Sequence, residues 1–176
     1  DVPLILMGYY NPIYTLGPEA YARRCAETGV DGLIVPDLPP EEAGALEEAC
    51  RANNVALTYL VAPTSSAERR ALIAARTEGF LYLVSRLGTT GTGELPLEAL
   101  RAQVSALRPV THTPIAVGFG VSTPEQAREV AGTGADGVIV GSAIVERAAE
   151  GTAALRQFVA TLSAALTQSA ERARPA

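Results

Sequence analysis

An α/β fold of alternating strands and helices is predicted by three features of this 176-residue sequence. Short runs rich in β-branched residues recur, each followed by helix-forming sequence, at the spacing of about 22 to 34 residues that βα units take. Two blocks, Gly29-Val-Asp-Gly-Leu-Ile-Val35 and Gly134-Ala-Asp-Gly-Val-Ile-Val140, are near copies that repeat one device of helix stop, turn and buried strand. The last two strands both run out into glycine, at Gly118-Phe119-Gly120 and Gly141-Ser142, the arrangement that closes many (β/α)8 barrels. A complete barrel takes ~200 to 250 residues, so a partial barrel of about six units, lacking the first two, is expected. A six-stranded doubly wound sheet is the alternative, but nothing marks a topological switch point.

Taken in order, residues 2–9 form a continuous apolar run, the pattern of a parallel strand buried on both faces. Residues 9–14, with Asn11 and Pro12, read as a turn-rich loop. Pro18 sits near the start of a helix to about residue 28, and Gly29 ends it. Residues 32–35 are the next strand and 36–40, with three prolines, its exit loop. Helix 41–53 opens on acidic residues that suit its dipole. Residues 55–61 are a strand, 62–66 a loop with an N-cap, and 67–76 a helix. Strand 80–85 leads into the longest glycine-rich loop, 86–94, then helix 96–107. Strands 115–118 and 138–140 flank helix 123–131; residues 142–149 form a short helix and 152–171 a long amphipathic one that closes the chain. All 176 residues read as one partial-barrel domain, with its phosphate end at 113–150.

Composition narrows the function. The chain is 48% hydrophobic and 19% charged, which excludes disorder. A net charge of −5 with scattered arginines argues against a nucleic-acid surface. No apolar run approaches a membrane span and no signal peptide opens the chain. Cys25 and Cys50, without metal-ligand spacing, read as small core residues in a reducing cytoplasm. A strand entered at once, with no initiator Met, reads as a piece of a longer chain whose missing units precede Asp1. An open barrel of that kind is expected to expose strand edges and core.

Glycine at a strand exit lets a ligand approach the backbone, and the helix beginning just beyond offers free N–H groups and a positive dipole end. The tandem pair therefore points to a phosphate site; two ordinary tight turns are the alternative. Ser142 is also a plausible N-cap of its helix. Asp37 is the only carboxylate at a predicted strand C-terminus, which by itself would nominate it as a general base. His112 falls on the opposite face, as a solvated loop residue. Isomerases and synthases that act on phosphosugars place lysines or paired carboxylates at strand ends, and this sequence contains no lysine.

Six motifs occur in order: Leu-Met-Gly-Tyr-Tyr-Asn-Pro at 6–12, Gly-Leu-Ile-Val-Pro-Asp-Leu-Pro-Pro-Glu-Glu at 32–42, Val-Ala-Pro-Thr-Ser at 61–65, Ser-Arg-Leu-Gly-Thr-Thr-Gly at 85–91, Gly-Phe-Gly-Val-Ser-Thr-Pro-Glu-Gln at 118–126 and Gly-Ser-Ala-Ile-Val at 141–145. Together they resemble the tryptophan synthase α chains, from the third barrel strand to the C-terminus. The resemblance implies retro-aldol cleavage of indole-3-glycerol phosphate to indole and glyceraldehyde 3-phosphate. It also implies a β-chain partner in an α2β2 assembly, with pyridoxal phosphate expected only in that β chain and no cofactor here.

By the same resemblance, Gly91, Gly120, Gly141 and Ser142 hold the substrate phosphate. Tyr82, Thr90, Phe119 and, more weakly, Tyr9 belong to the pocket and its mobile loop at 88–93; taken alone, Tyr82 and Phe119 would be barrel core. Asn11, Asp37 and Pro39 fall on the β-chain interface, which favours an interface or structural role for Asp37 over a catalytic one. The family's general acid–base glutamate and supporting aspartate would both precede Asp1, so no residue here inherits those roles, and the chain alone is expected to be inactive.

Overall fold

The computed structural model describes residues 2–84, 97–118 and 120–172, with side chains to residue 167. It divides into two compact units, Asp1–Tyr82 with Val110–Thr113, and Leu83–Pro109 with Pro114–Ala176.

In the first unit, strands β1 (Ile5–Met7), β2 (Gly32–Ile34) and β3 (Ala56–Thr58) form a parallel sheet in that order. Leu6 stands opposite Leu33, and Leu33 opposite Leu57. β2 is buried throughout, as an apolar parallel strand should be. β1 departs from its expected burial: Leu6 is 39% and Met7 54% exposed. It is the edge of its sheet, so one side has no strand against it among the described residues.

Helices α1 (Tyr10–Leu16) and α2 (Pro18–Glu27) follow β1. The expected loop at 9–14 is thus mostly helix. Pro12 was the turn signal, but it occupies the first helical turn, where its missing N–H costs nothing. Gly17 separates the two helices at φ +94°, a conformation that glycine adopts freely.

The predicted helix from residue 41 becomes a 3₁₀ turn, Pro40–Glu42, before α3 (Gly44–Ala52). The strand expected at 55–61 is broken: β3 pairs with β2, while beyond it the Tyr59 carbonyl accepts the N–H of Tyr82 at 3.1 Å, ahead of β4 (Leu60–Val61). Helix α4 (Ala67–Arg76) has the predicted bounds, with Ser66 Oγ accepting the Arg69 N–H. Strand β5 (Leu81–Val84) follows. Leu33, Leu46, Val55, Leu57 and Val61 fill the core of this unit, and helices α2 and α3 pack together.

In the second unit, α5 (Leu97–Leu107) precedes β6 (Ile115–Gly118), α6 (Pro124–Ala131), β7 (Gly137–Ile139), α7 (Ser142–Ala149) and α8 (Thr152–Arg172). β6 and β7 pair in parallel, and α6 and α7 both pack on α8. Val104, Leu107, Ile115, Val117, Val130 and Leu162 make the core. Among the described residues, no helix is long and apolar enough to cross a membrane.

Candidate functional site

The register of β6 and β7 decides what their ends can do. Gly118 stands opposite Ile139, so the chains leave the sheet side by side, and Gly120 and Gly141 each lie two residues beyond that pair. Gly120 takes φ +86°, which L side chains adopt only under strain. A Cβ built on Gly141 meets nothing within 4 Å, so this strand end faces open space.

The two helices that follow are not equivalent. α6 caps itself: Thr123 Oγ1 accepts the Gln126 N–H at 3.2 Å, and Gln126 Oε1 takes the Ser122 N–H at 2.8 Å. Pro124 adds no N–H, and Glu125 places a negative charge in the first turn. α7 has neither device. Its N-cap is Gly141, no side chain caps it, and its first turn carries no acidic residue. Ser142 is therefore not the N-cap, as expected from sequence, but the first helical residue. The Gly141 carbonyl takes the N–H groups of Ile144 and Val145, and those of Ser142 and Ala143 find no backbone acceptor among the described residues. Ser142 is exposed. A helix start with unspent donors and no local acid suits an anion.

Three predicted site residues, Thr90, Gly91 and Phe119, lie outside the described residues. Tyr82 is in the first unit, 5% exposed in β5, and burial pushes its hydroxyl pKa up. Tyr9 is 73% exposed, and Asn11 is exposed one residue into α1. Asp37 is also exposed, and its Oδ1 accepts the Tyr10 N–H at 2.9 Å. That bond ties the exit loop of β2 to the start of α1. Pro39 is half-buried in the same loop. His112 is exposed, as expected.

Both cysteines are free and buried. Burial, and then the neighbouring Cys25, Glu78 and Glu47, push the Cys50 thiol up to about 12. Among the described residues, no group of His, Cys, Asp and Glu is arranged to hold a metal ion.

Sequence reasoning missed one polar cluster. Arg76 donates from Nε and Nη2 to the two Glu47 oxygens, at 2.7 and 2.6 Å, and Tyr59 Oη donates to Oε1 at 2.6 Å. Burial pushes the Glu47 carboxyl up, but the hydrogen bonds from Arg76 and Tyr59, with the charges of Arg76 and Arg51, outweigh it and hold it below the usual range. Glu47 and Arg76 are 29 residues apart, and no local pattern links them.

The family model described as tryptophan synthase alpha chain matches residues 1–174. A tryptophan synthase alpha chain from Halobacterium salinarum is 50% identical over 159 residues, 87% of this chain and 56% of that relative. A solved tryptophan synthase from Mycobacterium tuberculosis superposes with a TM-score of 0.84 at 37% identity, over 93% of this chain and 62% of that one. A Pyrococcus furiosus structure, solved for mutual activation of its tryptophan synthase α2β2 complex, gives 0.81 at 36% identity over 94% and 67%. The chain thus spans little more than half the length of the curated relative it matches. The likeness bears out the partial (β/α)8 barrel, and the chain belongs to the tryptophan synthase alpha chain family.

Proposed function

We propose that this chain serves tryptophan synthesis as the phosphate-holding part of a tryptophan synthase α subunit, a carbon–carbon lyase acting on indole-3-glycerol phosphate. The observation that carries this reading is the pairing of Gly118 with Ile139 at neighbouring strand ends, with N–H groups of Ser142 and Ala143 that find no backbone acceptor among the described residues at the start of α7. Backbone donors there take the substrate's phosphate, and the Ser142 hydroxyl adds a further donor. Gly91 joins them on the strength of the resemblance. Tyr82, Thr90, Phe119 and Tyr9 serve the indole end and its loop on the same ground.

The reaction breaks the bond between indole C3 and the glycerol carbon. A base takes the proton of the hydroxyl on that carbon, which becomes the aldehyde, and an acid returns a proton to indole C3. Only protons and one carbon–carbon bond move, so the chemistry calls for no cofactor in this chain; pyridoxal phosphate belongs with a β chain. Asp37 is engaged at the start of α1 and is not assigned as the base. By the resemblance the two carboxylates are expected outside these residues, and the 176 residues by themselves are expected to release no indole.

Calorimetric titration with glycerol 3-phosphate, beside an indole-release assay, tests both halves. Saturable binding weakened by Ser142→Ala is expected, with no indole from the chain alone. Absence of binding sinks the phosphate assignment, and indole release sinks the assignment of the carboxylates.

A further inference from the structure

Strands β6 and β7 are short, and their side chains leave the register between them weakly specified. Three residue pairs face each other: Ala116 with Gly137, Val117 with Val138 and Gly118 with Ile139. Gly137 has no side chain to place, and β7 is half-buried along its whole length. A fully buried face is what normally fixes register, and a glycine-bearing strand without one lacks that constraint. In the first unit β2 is the opposite case, since all three of its residues are buried.

A polar brace sits at the start of the β6–β7 pair. Asp136 Oδ2 accepts the Ile115 N–H at 2.8 Å, and the Asp136 N–H donates to the Ile115 carbonyl at 2.8 Å. Ile115 is fully buried, so its N–H needs an acceptor within the protein. The Arg108 guanidinium lies 2.7 Å from the same carboxylate and also donates to the Gly134 carbonyl, in the turn before β7.

The far end of this strand pair carries the proposed phosphate donors. Gly118 and Ile139 are its last facing residues, and Ser142 and Ala143 open α7 just beyond. A slip that keeps each face must cover two residues, about 6 to 7 Å along the strand. That exceeds the length of a hydrogen bond, so a slipped pair cannot hold one phosphate between its two ends.

We propose that Asp136, braced by Arg108, is a positioning residue for the phosphate site: its paired bonds with Ile115 set the register of β6 and β7 at one end and so place the phosphate donors at the other. This rests on the proposed phosphate-holding function. Asp31 makes the same paired bonds with Leu4, at 2.7 and 2.8 Å, but it latches β1 to β2, which carry none of the proposed phosphate residues. The chain thus contains its own control.

The test titrates the full chain with glycerol 3-phosphate at fixed salt. Asp136→Ala is expected to bind about five- to tenfold more weakly, the effect of a strand pair in register for roughly a tenth to a fifth of the time. The sign is informative, because deleting a negative charge by itself favours an anion. Asp136→Asn deletes the same charge but keeps an acceptor for the Ile115 N–H, and is expected within about threefold of the parent. Asp31→Ala is expected to melt lower, as Asp136→Ala does, yet to bind like the parent. Exchange of the Ile115 amide should quicken in Asp136→Ala and not in Asp31→Ala. Arg108 is 40% exposed, and Arg108→Ala keeps the Ile115 bonds. It is expected to bind about two- to threefold more weakly at high salt, where distant charges are screened.

Parent-like binding by Asp136→Ala, with a quickened Ile115 amide, overturns the proposal. Equal weakening by Asp31→Ala overturns it as well, because general loosening then explains both. Asp136→Asn as weak as Asp136→Ala also overturns it, by tracing the effect to charge instead of the Ile115 bond. If Asp136→Ala does not fold, parent-like binding by Arg108→Ala decides against it. Failure of the parent chain to bind glycerol 3-phosphate removes the phosphate reading itself, and the parent titration reports that separately.

Discussion

Asp136 and Ile115 exchange two hydrogen bonds: the Ile115 N–H donates to Asp136 Oδ2 at 2.8 Å, and the Asp136 N–H donates to the Ile115 carbonyl at 2.8 Å. Asp31 and Leu4 do the same at 2.7 and 2.8 Å. Each aspartate sits in one copy of the repeated Gly-x-Asp-Gly block, and each latches the start of its strand to the start of the strand before it. Arg108 reinforces only the second copy, 2.7 Å from the Asp136 carboxylate. Burial raises the Asp136 carboxyl, but the Arg108 and Ile115 donors outweigh it and hold it below the usual range.

The two copies differ in the room left for the glycine after the aspartate. A Cβ on Gly32 would lie 2.9 Å from Ile5 Cδ1 and 3.0 Å from the Ala56 carbonyl oxygen. On Gly137 it would meet the Ala116 Cβ at 3.4 Å, close to ordinary contact. Gly32→Ala is expected to destabilise by about 1 to 3 kcal/mol through overpacking. Gly137→Ala is expected to be neutral or to stabilise by up to about 1 kcal/mol, because it restricts the unfolded chain. Urea denaturation of the two variants checks the ordering, and equal losses would refute it.

The Glu47 cluster predicts a pH dependence. A carboxyl whose folded pKa is depressed contributes stability above its unfolded value, about 4.3, and loses it as pH falls through the lower folded value. Glu47→Gln should therefore cost most near pH 7 and progressively less below about pH 4. Arg76→Ala should cost about 2 to 3 kcal/mol at neutral pH, less than a fully buried pair because the two side chains remain 28% and 14% exposed. Tyr59→Phe, which leaves the Arg76 bonds in place, should cost about 1 kcal/mol. Urea midpoints from pH 3 to 7 measure all three, and a pH-independent Glu47→Gln deficit would rule out the ionic account.

At the strand ends, stability and affinity should separate. Ser142 caps nothing, so Ser142→Ala should leave the melting temperature unchanged while weakening a phosphate ester by about five- to tenfold. Gly120→Ala should lower the melting temperature as well as the affinity, since φ +86° costs an alanine about 1 to 2 kcal/mol of folding energy. Thermal melts paired with glycerol 3-phosphate titration check both. A Ser142→Ala chain that melts lower and binds normally would return Ser142 to a capping role.

Much of the fold is local in origin and was legible in the residues. Ser66 and Thr123 mark the starts of α4 and α6 because a side-chain oxygen there satisfies a nearby N–H. The repeated Gly-x-Asp-Gly blocks announced two equivalent strand starts, and the glycines announced the ends of β6 and β7, the second of which faces open space at Gly141. Helix α1 was not legible, because Pro12 signals a turn and the acceptor for its first N–H lies 27 residues on. The split at Tyr59, the Glu47 cluster and the unequal starts of α6 and α7 were hidden for a related reason. Period and propensity act over a few residues, so the sequence by itself determined the family, the βα alternation and the glycines at the ends of β6 and β7. Which carboxylate meets which N–H or guanidinium depends on strand register and helix packing, and only the tertiary structure decided that.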